Sequence, residues 1–225
     1  MLSCSPDACS ALITAAGAST RMGTGKKKEL ELIDGLPVIA WALRAFLESN
    51  LFGFFVITYP RTERDAVARS LTCVKDIRDI VLVEGGDSRQ QSVYNGLVAL
   101  DNLAQRYVLI HDGSRPWIAP ILIRQVLEGA IQFGACIPVV QPVDAVKRIA
   151  SDGTITDHVQ RAEYVSAQTP QGFAYQEILN AHRAAADANM TYPDDAQAYH
   201  ESIGPVHAID GDPANVKITY GHDLP

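Results

Sequence analysis

Short apolar runs alternate with amphipathic stretches along the chain. Ala11–Ala16 (ALITAA) is almost wholly apolar and stops at Gly17, as a strand buried on both faces does. Between Pro37 and Ser49, the residues Ile39, Ala42, Leu43, Phe46 and Leu47 share one helical face while Arg44 and Glu48 point away. That spacing predicts a helix with Pro37 at its first position. Phe54–Tyr59 (FFVITY) predicts a second strand. Thr62 with Asp65 has the spacing of a capping box, opening a helix to about Leu71. Ile80–Val83 predicts a strand, Ser88–Leu100 a helix after a Gly85-Gly86-Asp87 turn, and Tyr107–Asp112 (YVLIHD) a fourth strand. Helix Ile121–Phe133 and strand Ala135–Val140 follow.

This β-α-β-α order predicts an α/β fold with a mostly parallel sheet covered on both faces. The rhythm changes from Pro142 to Val165, where Val146–Ile149 and Thr154–His158 flank Asp152-Gly153, a tight-turn dipeptide. An inserted hairpin arm over residues 142–165 is expected; a surface excursion without a role would share the pattern. Helix Ala174–Ala188, a short helix after Asp194-Asp195, and strands near Val206–Ile209 and Val216–Tyr220 complete the reading. No repeat or linker interrupts it, so residues 1–225 are expected to form one domain carrying the arm.

Charge changes the picture. The 225 residues carry a formal net charge of -7, which lacks the basic footprint of a duplex-binding protein. Any anion site must be a local basic patch on an acidic body. Four cysteines (Cys4, Cys9, Cys73, Cys136) form no CxxC pair, which fits a reducing compartment. Ala11–Ala16 is too short for a secretory core or a membrane span, so a soluble, cytoplasmic protein without nucleic-acid or membrane partners is expected.

The basic patch follows the first strand. In Ala15-Ala16-Gly17-Ala18-Ser19-Thr20-Arg21-Met22-Gly23-Thr24-Gly25-Lys26-Lys27-Lys28, small residues let backbone amides approach a ligand, and four cations follow with no acid before Glu29. A polyphosphate wants both features; a solvated lysine run would look the same. Neither GxxxxGK[ST] nor a GxGxxG after the first strand occurs, which excludes the Walker loop and the dinucleotide fingerprint. Further loops follow later strands: Gly85 to Ser92, His111-Asp112-Gly113-Ser114-Arg115-Pro116, and Asp210 to Lys217. Asp112 at a strand end suits Mg²⁺ beside phosphates, or a structural pair with Arg115. Asp87 and Ser92 offer polar groups to a base or sugar, or simply open the next helix. His111 is a candidate base or a satisfied structural histidine. Lys217 alone reads as exposed filler.

Taken together and in order, these runs, with Gln168-Thr169-Pro170-Gln171-Gly172-Phe173 and Asn215-Val216-Lys217-Ile218-Thr219, resemble the 2-C-methyl-D-erythritol 4-phosphate cytidylyltransferase family over roughly Ala11 to Leu224. The resemblance implies a Rossmann-like nucleotidyltransferase three-layer sandwich whose hairpin arm exchanges within a homodimer. It implies transfer of a cytidylyl group from CTP to methylerythritol phosphate, a sugar-alcohol phosphate of isoprenoid precursor biosynthesis, with Mg²⁺. It assigns transition-state stabilisation to Arg21 and Lys28, and Mg²⁺ to Asp112. It places Ala15, Ala16, Gly17, Gly86, Asp87, Ser92 and Gly113 around the nucleotide, and Arg115, Asp144, Arg161 and Lys217 around the acceptor.

Spacing from Arg21 selects Lys28 among three consecutive lysines, and Ala145 stands where the family usually carries threonine. Two other readings share these features: a polyol-phosphate cytidylyltransferase using ribitol 5-phosphate, and a nucleotide-binding homologue without turnover.

Overall fold

The computed structural model describes residues 4–17, 19, 22, 27–74 and 80–225. Strand β1 (Cys9–Thr14) precedes a small hairpin of β2 (Leu32–Ile33) and β3 (Leu36–Pro37). Then come α1 (Val38–Ser49), β4 (Phe54–Tyr59), α2 (Arg64–Leu71), β5 (Ile80–Glu84), α3 (Arg89–Val98), β6 (Tyr107–Asp112), α4 (Pro120–Phe133) and β7 (Ala135–Val140). After β8 (Lys147–Ile149) and β9 (Ile155–His158) follow β10 (Ser166–Ala167), β11 (Gln171–Ala174), α5 (Tyr175–Asp187), α6 (Asp195–Ser202) and β12 (His207–Asp210).

The central sheet explains the apolar runs. β1 lies between β4 and β6, parallel to both, and β5 extends the sheet beyond β4. Successive side chains point to opposite faces. Ala11, Ile13, Phe55, Ile57 and Leu109 meet Ile39, Leu43 and Phe46 of α1 and Leu122, Ile123 and Val126 of α4. Leu12, Val56, Val108 and Ile110 meet Val93 and Leu97 of α3 and Ile178 and Leu179 of α5. Both faces are therefore covered, giving an α/β three-layer sandwich.

β11 is antiparallel and sits between β6 and β7. β10 continues along the same edge of β7, and parallel β12 takes its other edge. Thr169–Pro170, between β10 and β11, is a cis peptide bond.

Three expectations need correction. Pro37 is the N-cap of α1, not its first residue. Thr62 makes no capping box: Glu63 N donates to Pro60 O at 2.8 Å, so Thr62 belongs to a turn and Glu63 caps α2 without a side-chain bond. Val216–Tyr220 is not a strand. Ile218 N donates to Ser114 O, while the Thr219 and Tyr220 amides both donate to Asp223 Oδ2, so the donors serve loops rather than a sheet neighbour.

Among the described residues, the hairpin of β8 and β9 pairs only with itself. It turns at Gly153, where φ is +90°, a conformation glycine adopts without a Cβ penalty. Its flanks leave apolar side chains in solvent: Val143 is 88% exposed and Ile149 66%.

Candidate active site

The strand order turns at β1: the chain passes to β4 on one side and later returns to β6 on the other. In an open parallel sheet, loops diverging at such a point leave a crevice beyond the strand ends. A cleft of about 970 Å³ lies there. Its walls come from the loops after β1, β5 and β6, with Lys217 and Thr219 closing it.

The loop after β1 starts at Ala15, which is buried and donates to Thr58 O at 3.1 Å. Ala15 thus anchors the loop, while Ala16 and Gly17 line the cleft. Opposite them, Gly85, Gly86, Asp87 and Ser92 line it too. A Cβ on Gly85 would stand 2.2 Å from Ala16 Cβ and 2.7 Å from Ser92 Oγ, so only glycine lets the two loops approach this closely. Gly86 N donates to Ser92 Oγ at 3.1 Å, and Ser92 Oγ donates to Ser88 O. Ser88 also caps α3, accepting from Gln91 N. Gly113 lies behind the wall, where a Cβ would be 2.9 Å from Thr14 O; it lets the ends of β1 and β6 pack rather than facing the cleft.

Arg21 and Lys26 fall outside the described residues. Lys28 is only 9% exposed, lines the cleft, and donates from Nζ to Ile218 O at 3.0 Å. Its neighbour Glu29 is also buried, and burial raises the Glu29 carboxyl pKa. Lys27 lines the cleft as well, donating to Gly17 O at 3.1 Å.

At the end of β6, Asp112 gathers three cations. Lys217 Nζ lies 2.8 Å from Oδ2, Arg89 Nε 3.3 Å from Oδ1, and Arg115 Nε 3.6 Å from Oδ2. The Arg115 contact is an ion pair too long for a hydrogen bond, and Arg115 Nε has no hydrogen-bond partner among the described residues. Burial alone would raise the Asp112 carboxyl, but Arg89, Lys217 and Arg115 hold it far below the ordinary carboxylate range. The pairing with Arg115 is thus present, and Lys217 is not filler.

His111 does not line the cleft. Thr169 Oγ1 accepts from Asp112 N and lies 3.1 Å from His111 Nδ1, while His111 Nε2 lies 3.2 Å from Arg115 O. Burial lowers its pKa to about 4. With both ring nitrogens engaged, it is a structural brace, not a base. The Gln168–Phe173 run braces too. Gln168 Nε2 donates to Asp212 O and Gln171 Nε2 to Asp194 Oδ2, yet no residue of the run lines the cleft.

Asp144 and Arg161 sit on the exposed arm, Arg161 donating to Val143 O at 3.0 Å, and neither lines the cleft of its own chain. Sequence reasoning missed Arg89 and Asp195. Arg89 Nη2 donates to Asp195 Oδ2 at 2.7 Å. The only signal for Arg89 was a cation just after a glycine turn.

Asp195 is fully buried; burial alone would raise its carboxyl, but Arg89 and His182 bring it down to about 2. The unfolded chain therefore binds this proton more readily. The stabilisation is complete above about pH 4 and drains away as pH falls toward about 2. Asp195→Asn is expected to be less stable at pH 7 by about 2 kcal/mol, with the gap closing below pH 4. Urea melts across that range measure it; a pH-independent gap would contradict the assignment.

Among the described residues no three His, Cys, Asp or Glu cluster to hold a metal. Asp112 still fits Mg²⁺. This ion typically takes one or two carboxylates plus phosphate oxygens and waters, rather than a protein cage. Asp112 Oδ1, whose only cation contact among the described residues is at 3.3 Å, is its less committed oxygen. No described helix is long and apolar enough to cross a membrane.

A family model described as "IspD: 2-C-methyl-D-erythritol 4-phosphate cytidylyltransferase" matches residues 9–225. The cytidylyltransferase of that name from Prochlorococcus marinus (strain MIT 9313) is 37% identical over 213 residues, covering 95% of this chain and 93% of that protein. That of Bacillus cereus (strain ATCC 14579) is 35% identical over the same share of each. A 4-diphosphocytidyl-2C-methyl-D-erythritol synthase structure from Anaerococcus prevotii superposes with a TM-score of 0.83 at 25% identity, covering 96% of this chain and 92% of that one. The Thermus thermophilus cytidylyltransferase structure gives 0.77 at 28% identity, covering 95% and 94%.

Proposed function

Since the chain belongs to the 2-C-methyl-D-erythritol 4-phosphate cytidylyltransferase family, we propose that its cleft holds CTP between the Ala16-Gly17 and Gly85–Ser92 loops, with the acceptor phosphate beside Lys217. The chain is a cytidylyltransferase. It joins CTP and methylerythritol phosphate into 4-diphosphocytidyl-2-C-methyl-D-erythritol and pyrophosphate. Neither the ribitol phosphate reading nor the non-catalytic one gains support from the relatives.

The reaction suits a site without a base. The acceptor is a phosphate monoester, largely dianionic at pH 7 because its second pKa is near 6. One of its oxygens bonds to the CTP α-phosphorus. The bond from that phosphorus to the bridging oxygen breaks, and pyrophosphate leaves with the electron pair. No proton has to be removed first. The obstacle is accumulated negative charge, which fixed cations in a shielded cleft offset best.

The observation that carries this reading is the cation group lining the cleft, Lys28 with Lys217 and Arg89 beside Asp112, while Arg115 pairs with Asp112 from outside the lining. Arg21 joins them by family correspondence. Asp112 would hold Mg²⁺, which when bound supplies further charge neutralisation on the triphosphate.

Asp144 and Arg161 reach an acceptor only in another subunit's cleft. The exposed Val143, Ile149 and Ile155 support a homodimer through the arm, since a lone two-stranded hairpin is marginal in water. Deleting the arm is expected to give monomers and abolish turnover, read by light scattering and pyrophosphate release. A fully active monomer would reject a shared site. The free thiols of Cys4, Cys9, Cys73 and Cys136 support a reducing compartment such as the cytoplasm.

Pyrophosphate release tests the reading. Release is expected with CTP, Mg²⁺ and methylerythritol phosphate together, and not when the acceptor is withheld. CTP binding without release would make the chain a binder.

A further inference from the structure

Arg89 stands between two carboxylates. Toward the cleft, its Nε lies 3.3 Å from Asp112 Oδ1; away from it, its Nη2 donates to Asp195 Oδ2 at 2.7 Å. The far contact is shorter, so Asp195 is the main partner. Asp195 is 1% exposed and does not line the cleft. His182 Nε2 donates to its other oxygen at 3.2 Å. Its place is set by the sheet: Asp194 accepts from Gln171 of β11, and Ala196 N donates to Gln171 Oε1.

We propose that Asp195 is a positioning residue for cytidylyl transfer. It holds Arg89 from behind and keeps the guanidinium from closing into a two-pronged pair with Asp112, which leaves Oδ1 with the single long bond from Arg89 Nε at 3.3 Å. This rests on the reading of the Asp112 cluster as the reaction centre.

The physical case is a competition for one guanidinium. Arginine and carboxylate prefer a two-pronged pair, and Arg89 is close enough to Asp112 to form one. The Asp195 charge, bonded to Arg89 at 2.7 Å, opposes that movement. With Asp195 neutral, Arg89 closes on Asp112, the single long bond to Oδ1 becomes a two-pronged pair, and the arrangement around the attacked phosphorus is lost. Nucleotide affinity changes less, because the cleft-lining Gly86, Ser92 and Lys28 are held by contacts that do not run through Arg89.

The test is a double-mutant cycle on the full chain, with Asp195→Asn, Arg89→Gln and the pair. Asp195→Asn is expected to lower kcat about tenfold while KM for CTP moves less than about threefold. CTP affinity by calorimetry without divalent ion is expected to stay within about threefold of wild type. With Arg89→Gln already present, Asp195→Asn changes kcat less than about twofold, since the residue acts only through Arg89. If Arg89→Gln does not fold, Arg89→Lys takes its place, because one ammonium cannot span both carboxylates.

Losses in kcat that multiply across the cycle would overturn the proposal, as would an Asp195→Asn protein with a lower melting temperature but unchanged kcat. A wild-type protein that releases no pyrophosphate would defeat the reading of the cleft itself.

Discussion

Replacing Lys28 by alanine lowers turnover at least ~100-fold, the scale of losing one fixed charge partner of a transition state. The way Lys28 is held supports the proposed role. It lies in a single 3-10 turn, Lys28–Leu30, and its stem is buried while its ammonium donates to Ile218 O. An ammonium in a mostly buried wall interacts more strongly with a phosphate than one in water. The loss falls on kcat more than on KM for CTP, because the charge on the reacting phosphates grows after binding. Lys27 is the control. It is more exposed and holds the Gly17 carbonyl, so Lys27→Ala weakens turnover far less. The reverse ranking would move the catalytic role by one position.

The second large effect is that of Asp112→Asn. The substitution keeps shape and removes the one carboxylate shared by Arg89, Arg115 and Lys217. Breaking a buried ion pair costs about 3–5 kcal/mol, and the lower end applies here because Arg89 and Lys217 are partly open to solvent. Turnover is expected to fall about 100-fold or more, as for a lost metal ligand or charge partner at the reaction centre. A third consequence separates this from simple damage. Three uncompensated cations attract an anion, so pyrophosphate without metal raises the melting temperature of Asp112→Asn more than that of wild type. Equal shifts would show that the cations released from Asp112 do not reach an anion in the cleft.

Much of the fold is legible because the strands are buried on both faces. FFVITY, YVLIHD and Ala135–Val140 appear as strands with the bounds expected from their apolar runs. The antiparallel strand β11 is not legible. Its only large apolar residue is Phe173, and its pairing with β6 and β7 is made by backbone. Val216–Tyr220 fails for the opposite reason. Val-Lys-Ile-Thr-Tyr alternates like a strand, but Ile218 is buried in a small cluster with Met22, Ile33 and Val38, and its amide donates to the Ser114 carbonyl of a loop.

The site divides in the same way. The loops after β1, β5 and β6 stand out because glycines and cations follow apolar runs. The link between Arg89 and Asp195 spans 106 residues and exists only once α3 and α6 meet. The Gln168–Phe173 run shows how family specificity and chemistry part: the strongest motif for the family braces loops from behind, Thr169 holding the Asp112 amide, and none of its residues lines the cleft. The net charge of -7 also hides the site, since the cations that matter are local and one, Lys217, looks like surface.

The acceptor is the most direct test. Purified protein with CTP and Mg²⁺ is given methylerythritol phosphate or ribitol 5-phosphate in parallel, with pyrophosphate release and product mass followed together. The account predicts rapid release with methylerythritol phosphate, a product of the mass of 4-diphosphocytidyl-2-C-methyl-D-erythritol, and a far lower kcat/KM with ribitol 5-phosphate. Preference for ribitol 5-phosphate, or no release with either, would contradict it.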